Sequence, residues 1–161
     1  MRSARASQLK RFVGALAASR RVGLLRLRSA DRPMRLVCLG GDCGLCCRVM
    51  AGDVVVTSEE AKRLPPTAID TFDTTSVLKT SCDGCVLLNN NYCGQYMNRP
   101  KGCVDYPYYN IGGQLFFDKG CPGMTFDQDG RPDVTAITPI ESYLPISSFW
   151  TWVLCFVLRI W

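Results

Sequence analysis

The chain has no histidine. That absence removes Ser-His and Cys-His nucleophile pairs, His-ligated zinc hydrolase sites and the two-His-one-carboxylate iron site. A clean apolar run behind the N-terminus is also missing, because Arg20, Arg21, Arg26 and Arg28 interrupt it. A secretory signal needs about 7–15 uninterrupted apolar residues there, so none is expected. Basic clusters are missing from the body. Residues 1–35 hold ten Lys/Arg and one acid, Asp31, for a net +9; residues 36–161 hold nine Lys/Arg and thirteen acids, for a net −4. A nucleic-acid surface groups Lys/Arg on one face of the fold, so no nucleic-acid partner is expected. What the chain does have is thiol, with ten cysteines in 161 residues. At that length about one domain is expected.

The two ends differ from the body. Residues 1–33 form a basic leader rich in Arg, Ala, Ser and Leu, with Leu9, Phe12, Val13 and Leu16 at helical spacing. Three readings stand: a transit peptide for an organellar matrix, a basic amphipathic helix on a membrane surface or partner, and a tail ahead of a start at Met34. Residues 126–161 form a C-terminal extension. Within it, residues 144–158 are fifteen uncharged residues that include Pro145. A spanning helix needs about 20 residues, with about 17 as the floor. A helix packed on the core, or lying at an interface on Trp150, Trp152 and Trp161, is therefore favoured over a tail anchor. Membrane association through either end stays open.

Between the ends the pattern is of short elements. Val54-Val55-Val56 reads as a strand. Thr57-Ser58-Glu59-Glu60 is a capping box, opening a short helix that must stop before Pro65-Pro66. Residues 67–80 have no clear period and read as a loop and an edge strand. Val86-Leu87-Leu88, Asn89-Asn90-Asn91 and Tyr92 read as a hairpin. Residues 106–118 read as a second hairpin, turning on Gly112-Gly113. Asp127-Gln128-Asp129-Gly130 begins like a calcium loop, but Arg131 and Pro132 stand where the fifth ligand and the glycine belong, so a turn is expected.

The cysteines run Cys38-x4-Cys43-x2-Cys46-Cys47, then Cys82-x2-Cys85-x7-Cys93-x9-Cys103, then Cys121 and Cys155. A C-x2-C turn can aim two thiolates at one point and leave amides to donate to the sulfurs, and Gly44 and Gly84 sit inside the two turns, where positive φ is easiest. Two such turns far apart in sequence signal a metal site. Thiolate sets hold zinc or an iron–sulfur cluster, and spacing alone does not choose. Disulfides are the competing reading, and they need an oxidising compartment that nothing here indicates. Cys155, in the apolar tail, reads as a buried small hydrophobe.

These residues carry a resemblance. Cys43-Gly44-Leu45-Cys46-Cys47-Arg48 resembles the CGxCCR centre of the YkgJ-type cysteine-cluster proteins, the CxxCxxCC domain held to chelate zinc or iron. Val54 to Thr57 with the capped helix, Cys85-Val86-Leu87-Leu88, Tyr92-Cys93-Gly94-Gln95-Tyr96, Arg99-Pro100-x2-Cys103-x2-Tyr106-Pro107 and Cys121-Pro122-Gly123 follow in the family's order. The likeness covers about residues 36–125. One departure stands out: Cys38 lies five residues before Cys43, where the family often has three.

The resemblance implies a cytoplasmic protein that binds iron–sulfur or zinc. Flagellin lysine N-methylases carry such a domain, but this sequence shows no glycine-rich nucleotide motif, and methylase activity is not carried over. The expectation is an α+β fold, a small irregular metal-stabilised domain over residues 34–125 with short helices and β-hairpins. Its candidate ligands are Cys38, Cys43, Cys46, Cys47, Cys82, Cys85, Cys93, Cys103 and Cys121. The expected cofactor is a [4Fe–4S] cluster, with zinc as the alternative. Arg99 is the candidate cofactor-binding cation, either donating to cluster sulfurs or neutralising a multi-thiolate site, against a plain surface salt bridge. Tyr96, Tyr106 and Pro107 are expected to pack around the site. Asp42, Asp83 and Asp105, each beside a cysteine, are expected to be solvated turn residues. Redox or protein-modification accessory work with a protein partner, and structural scaffolding on zinc, are the two functional readings; whether the chain is an enzyme is left open.

Overall fold

A computed structural model describes residues 27–31, 34–49, 52, 54–72, 75–126, 132–142 and 153. The chain divides into two units, Met1–Cys38 with Asp105–Trp161, and Leu39–Val104. The apolar segment 144–158 (apart from residue 153), the turn at 127–130 and the leader before residue 27 lie outside the described residues.

In the first unit the expected hairpin forms. β10 (Tyr108–Ile111) and β11 (Gln114–Asp118) pair antiparallel, with Ile111 opposite Gln114. Gly112 and Gly113 make the two-residue turn with φ of 58° and 80°, the left-handed pair that matches strand twist. On the other edge of β11 lies β1 (Leu27–Ser29), which comes from within the segment read as a leader. Ala30, Met34, Tyr108, Leu115, Phe117 and Ile137 form the buried cluster. Asn110 ties the turn to the following segment. Its Nδ2 donates to the carbonyls of Val134 and Ile137 at 3.0 and 3.1 Å, and its Oδ1 accepts from the Gly113 amide. A second ladder joins β2 (Arg35–Leu36) to β12 (Met124–Thr125).

The second unit is built of smaller pieces. β3 (Val55–Val56) pairs with β5 (Thr75–Leu78), which also pairs with β4 (Ile69–Phe72). The segment expected to be a loop and an edge strand is thus a hairpin whose second strand is central. Thr75 and Ser76 are half-buried, while Val77 and Leu78 are both buried. With both apolar residues consecutive, no period-2 alternation marks the strand. Three helices of four or five residues follow the motifs: α1 (Leu45–Val49), α2 (Ser58–Ala61) and α3 (Lys101–Asp105). The capping box is present in full, the Thr57 hydroxyl accepting from the Glu60 amide and the Glu60 carboxylate accepting from the Thr57 amide. β6 (Thr80–Ser81) pairs with β7 (Gly84–Cys85), and β8 (Leu88–Asn89) with β9 (Tyr92–Cys93). Asn90 and Asn91 turn the last hairpin with φ of 48° and 65°, where Asn is the side chain best tolerated after Gly. Short helices and small antiparallel sheets make this an α+β fold.

The core of this unit is part thiol. Val54, Val56, Leu64, Leu78 and Cys85 are buried together, and Cys47, Ile69, Leu88 and Cys103 pack against them.

Candidate metal centre

Cys46 and Cys47 stand on α1. Gly44, just before it, has φ +60°, and a Cβ there would lie 2.8 Å from Arg48 Nη1 and 3.1 Å from Asn91 Cα. The space is taken by Arg48, which donates from Nη1 to the Cys43 carbonyl at 2.8 Å and from Nη2 to Asn91 Oδ1. One guanidinium therefore fastens α1 both to the loop before it and to the β8–β9 turn. That fastening sets Cys93, on β9, beside Cys47.

Gly84 brings in the next strand. Its φ is +116°, and a Cβ there would stand 2.8 Å from both the Cys47 carbonyl oxygen and Arg48 Cα. The β7 backbone lies directly on α1, and Cys85 follows as the buried residue. α3 supplies Cys103. Pro100 is fully buried ahead of it, its carbonyl accepting from the Cys103 amide at 2.9 Å. The Lys101 amide donates to Glu60 Oε1 at 2.7 Å. Two helix starts are thereby held by one carboxylate, since Glu60 Oε2 accepts from the Thr57 amide and hydroxyl, each at 2.8 Å.

Five thiols come near enough in this way to act on one another. Cys47 hydrogen-bonds to both Cys46 and Cys93. Sharing that proton lowers Cys46 to about 6, against the pull of burial and helped by the charge of Arg99. It lowers Cys93 to about 6 likewise, again with help from Arg99. Cys47 is pushed up, chiefly by its bond to Cys46 and then by that to Cys93. Burial raises Cys85. Burial, with the neighbouring Cys85, Cys46 and Cys93, pushes Cys103 up to about 12. Arg99 is half-buried, stacks its guanidinium 3.8 Å above the Tyr96 ring and donates from Nε to the Tyr96 carbonyl at 3.0 Å. Its charge acts on Cys46, Cys93 and Cys103. Tyr96 thus bears on the site through Arg99.

Among the described residues, no three or more Cys, Asp or Glu side chains are closed to the geometry of a metal ion. The donors gathered are nonetheless all soft sulfurs, with a cation beside them. That set fits zinc or iron–sulfur chemistry and suits hard oxygen-seeking ions poorly.

Other candidates lie elsewhere. The second C-x2-C pair does not point one way: Cys82 is at the exposed tip of the β6–β7 hairpin, its thiol 3.6 Å from Asp83 Oδ2, while Cys85 is buried. A two-residue hairpin turn separates its first residue from its strand, where the expectation was convergence. Cys43 is half-buried, its Sγ accepting from the Leu45 amide at 3.4 Å. Cys38 and Cys121 belong to the first unit, as do Tyr106 and Pro107. Tyr106 donates to Asp118 Oδ2 at 3.1 Å, and burial together with that carboxylate pushes its phenol up. Asp42 and Asp83 are exposed, but Asp105 departs from the solvated role expected: it is buried and accepts from the Thr138 amide at 3.0 Å. Glu60 and Asn91 were not candidates from sequence. The capping box signalled one half of the Glu60 role, but its bond to Lys101 crosses 41 positions, and the Asn91 bond to Arg48 crosses 43.

A sulfur-lined centre on short helices and hairpins is a cysteine-cluster metal domain in class. The family model agrees: residues 37–122, more than half of the chain, match CxxCxxCC, described as "Putative zinc- or iron-chelating domain". The chain belongs to that family. Comparison with curated proteins and with solved structures gives no match. Among the described residues no helix is long and apolar enough to cross a membrane.

Proposed function

We propose that the second unit carries a [4Fe–4S] cluster on four thiolates drawn from Cys46, Cys47, Cys85, Cys93 and Cys103. The observation behind this reading is that four separate elements bring five sulfurs together beside one cation, Arg99. When bound, such a cluster supplies one-electron transfer, tuned by charge and hydrogen bonding around the sulfurs. The chain's own residues supply the rest. Cys46 and Cys93, held low, offer thiolates first. Arg99 balances the accumulated negative charge, and Tyr96 holds it in place. The apolar flank of Val54, Leu64 and Leu78 keeps water from the buried side. A reducing compartment, the cytoplasm, suits unpaired thiols. The role that follows is electron supply or accessory service to a protein partner.

The test is anaerobic purification of the full chain, with iron, acid-labile sulfide and zinc measured on one sample. About four irons and four sulfides per chain are expected for the proposed cluster. One zinc with no sulfide replaces the cluster with a structural zinc site on the same residues. A chain that holds no iron and no zinc overturns the reading of these thiols as a metal centre.

A further inference from the structure

Among the described residues of the second unit, the three most exposed large apolar side chains fall within six positions: Met97 at 90%, Tyr92 at 64% and Tyr96 at 52%. That stretch of chain spans at most about 18 Å, inside the roughly 30 Å breadth of a contact that buries about 800 Å² on each partner. The two rings are held in place. A Cβ on Gly41 would run into the Tyr92 ring, and one on Gly40 would stand 3.6 Å from it, so the ring rests on the glycine loop before α1. Tyr96 opens a 3-10 turn (Tyr96–Asn98), where the Asn98 amide donates to the Gln95 carbonyl at 2.9 Å, and its ring carries the Arg99 guanidinium. Exposed side chains that are already fixed lose little freedom on binding.

The charges beside these side chains are unevenly signed. Between Asp83 and Asp105 the sequence holds no acid, and its charges there are Arg99 and Lys101, in a body of net −4. Arg48 reaches the same stretch through Asn91, the neighbour of Tyr92. The hydrogen bonds of Arg48 and Arg99 go to neutral acceptors, the Cys43 and Tyr96 carbonyls and the Asn91 amide, and among the described residues neither guanidinium meets a carboxylate at ion-pair distance. Asp42, exposed beside Gly41, is one acid against these two cations. Tyr, Met and Arg are the residue types enriched at the cores of protein interfaces, and a guanidinium without its own carboxylate can take one from a partner. The sulfurs adjoin: Cys93 lies in the chain between Tyr92 and Tyr96, and the charge of Arg99 acts on Cys46, Cys93 and Cys103.

We propose that Tyr92, Tyr96 and Met97, with Arg48 and Arg99, are the docking surface for an acidic one-electron carrier protein. Its carboxylates meet the guanidiniums and its apolar centre covers Met97 and the tyrosines. One electron then leaves the carrier's reduced cofactor, which is oxidised by one, and enters the centre, which is reduced by one; no bond or proton changes hands. This delivery rests on the cluster reading above, whereas the contact does not.

The experiment uses the full chain, purified anaerobically with the metal it holds, and two probes, a flavodoxin and a plant-type ferredoxin, both small acidic one-electron carriers. Binding is measured by calorimetry at low and raised salt, and reduction of the chain by the reduced probe is followed optically. Saturable binding of at least one probe is expected, weakening as salt rises. M97E puts a negative charge on the most exposed side chain of the surface, so it should weaken binding about tenfold or more while metal content and melting temperature stay at the parent's values. K119E, at an exposed lysine of the first unit, changes the net charge by more and should weaken binding less. The proposal is overturned if neither probe binds, if M97E binds like the parent, or if K119E loses as much as M97E. A chain that holds zinc, binds the probe and takes no electron keeps the contact and overturns the cluster reading, so the two fail separately.

Discussion

Replacing Glu60 should loosen the second unit more than any surface carboxylate could. The side chain is 8% exposed, and its two oxygens accept from the Thr57 amide, the Thr57 hydroxyl and the Lys101 amide. In E60A the reciprocal cap on α2 is lost, at about 1 kcal/mol. The Lys101 amide, at the start of α3, is left without its acceptor, at about 1–3 kcal/mol. A loss of about 2–4 kcal/mol follows, a large share of a typical 5–15 kcal/mol stability. E60Q keeps the volume and one acceptor oxygen, so about half that loss is expected. The pH dependence has a definite sign. Burial alone would raise the Glu60 carboxyl, but the amides of Thr57 and Lys101, the Thr57 hydroxyl and the Arg63 charge outweigh it and hold it below the ordinary value. Its stabilisation is therefore complete above the unfolded value, about 4.3, and is lost as pH falls through the lower folded value. Urea unfolding at pH 7 and below pH 4 measures both effects. The wild-type chain should lose part of its advantage over E60Q as the pH falls. A midpoint for E60A within about 0.5 kcal/mol of wild type, the size of an ordinary surface change, would refute the reasoning.

Three further outcomes follow from the same contacts. G84A places a Cβ 2.8 Å from the Cys47 carbonyl and Arg48 Cα at φ +116°; backbone must move, so a loss of about 2 kcal/mol or more is expected in urea unfolding, and an unchanged midpoint would show that α1 and β7 do not touch. R99A should move upward the pH at which Cys46 and Cys93 become alkylated in the reduced, metal-free chain, from about 6 in the wild type, while R99K moves it less; identical profiles would remove Arg99 from the site. Chelation of the loaded chain should destabilise the second unit and lower its melting temperature, because Cys47, Cys85 and Cys103 belong to its core as well as to its centre; a cooperative melt of the metal-free chain at the loaded chain's temperature contradicts this.

Local chemistry was legible in the sequence wherever one short segment holds all the actors. The Thr57–Glu60 box, the Gly112-Gly113 turn and the positive φ of Gly44 each depend on neighbours within a few positions. The β4–β5 hairpin escaped because Val77 and Leu78 are both buried and give no alternation. The candidate site shows the same division more sharply. Two C-x2-C spacings look equivalent on paper, yet one opens a helix and the other turns a hairpin. In the first, Cys46 follows a left-handed glycine onto α1; in the second, Cys82 is left at an exposed tip while Cys85 is buried. The spacing fixes how far apart two sulfurs can be, not which backbone lies between them.

The count of thiols resolves along the same line. Nine candidate cysteines divide poorly into sites of four when all are treated alike. Sorted by what holds them, they fall into five gathered in the second unit, two at loop positions of the same unit, Cys43 and Cys82, and two in the first unit, Cys38 and Cys121. The sorting comes from residues that carry no sulfur. Arg48 and Asn91 draw β9 to α1, Gly84 admits β7 against α1, Glu60 seats α3, and Gly123 lets the chain before β12 close on Val37. Each is a contact between distant positions, which is why cysteine spacing alone cannot reveal the partition. It also says where to intervene: changing Asn91 or Gly84 should disperse the five sulfurs while leaving every cysteine in place, and changing a cysteine should remove a ligand while leaving the scaffold that gathers the rest.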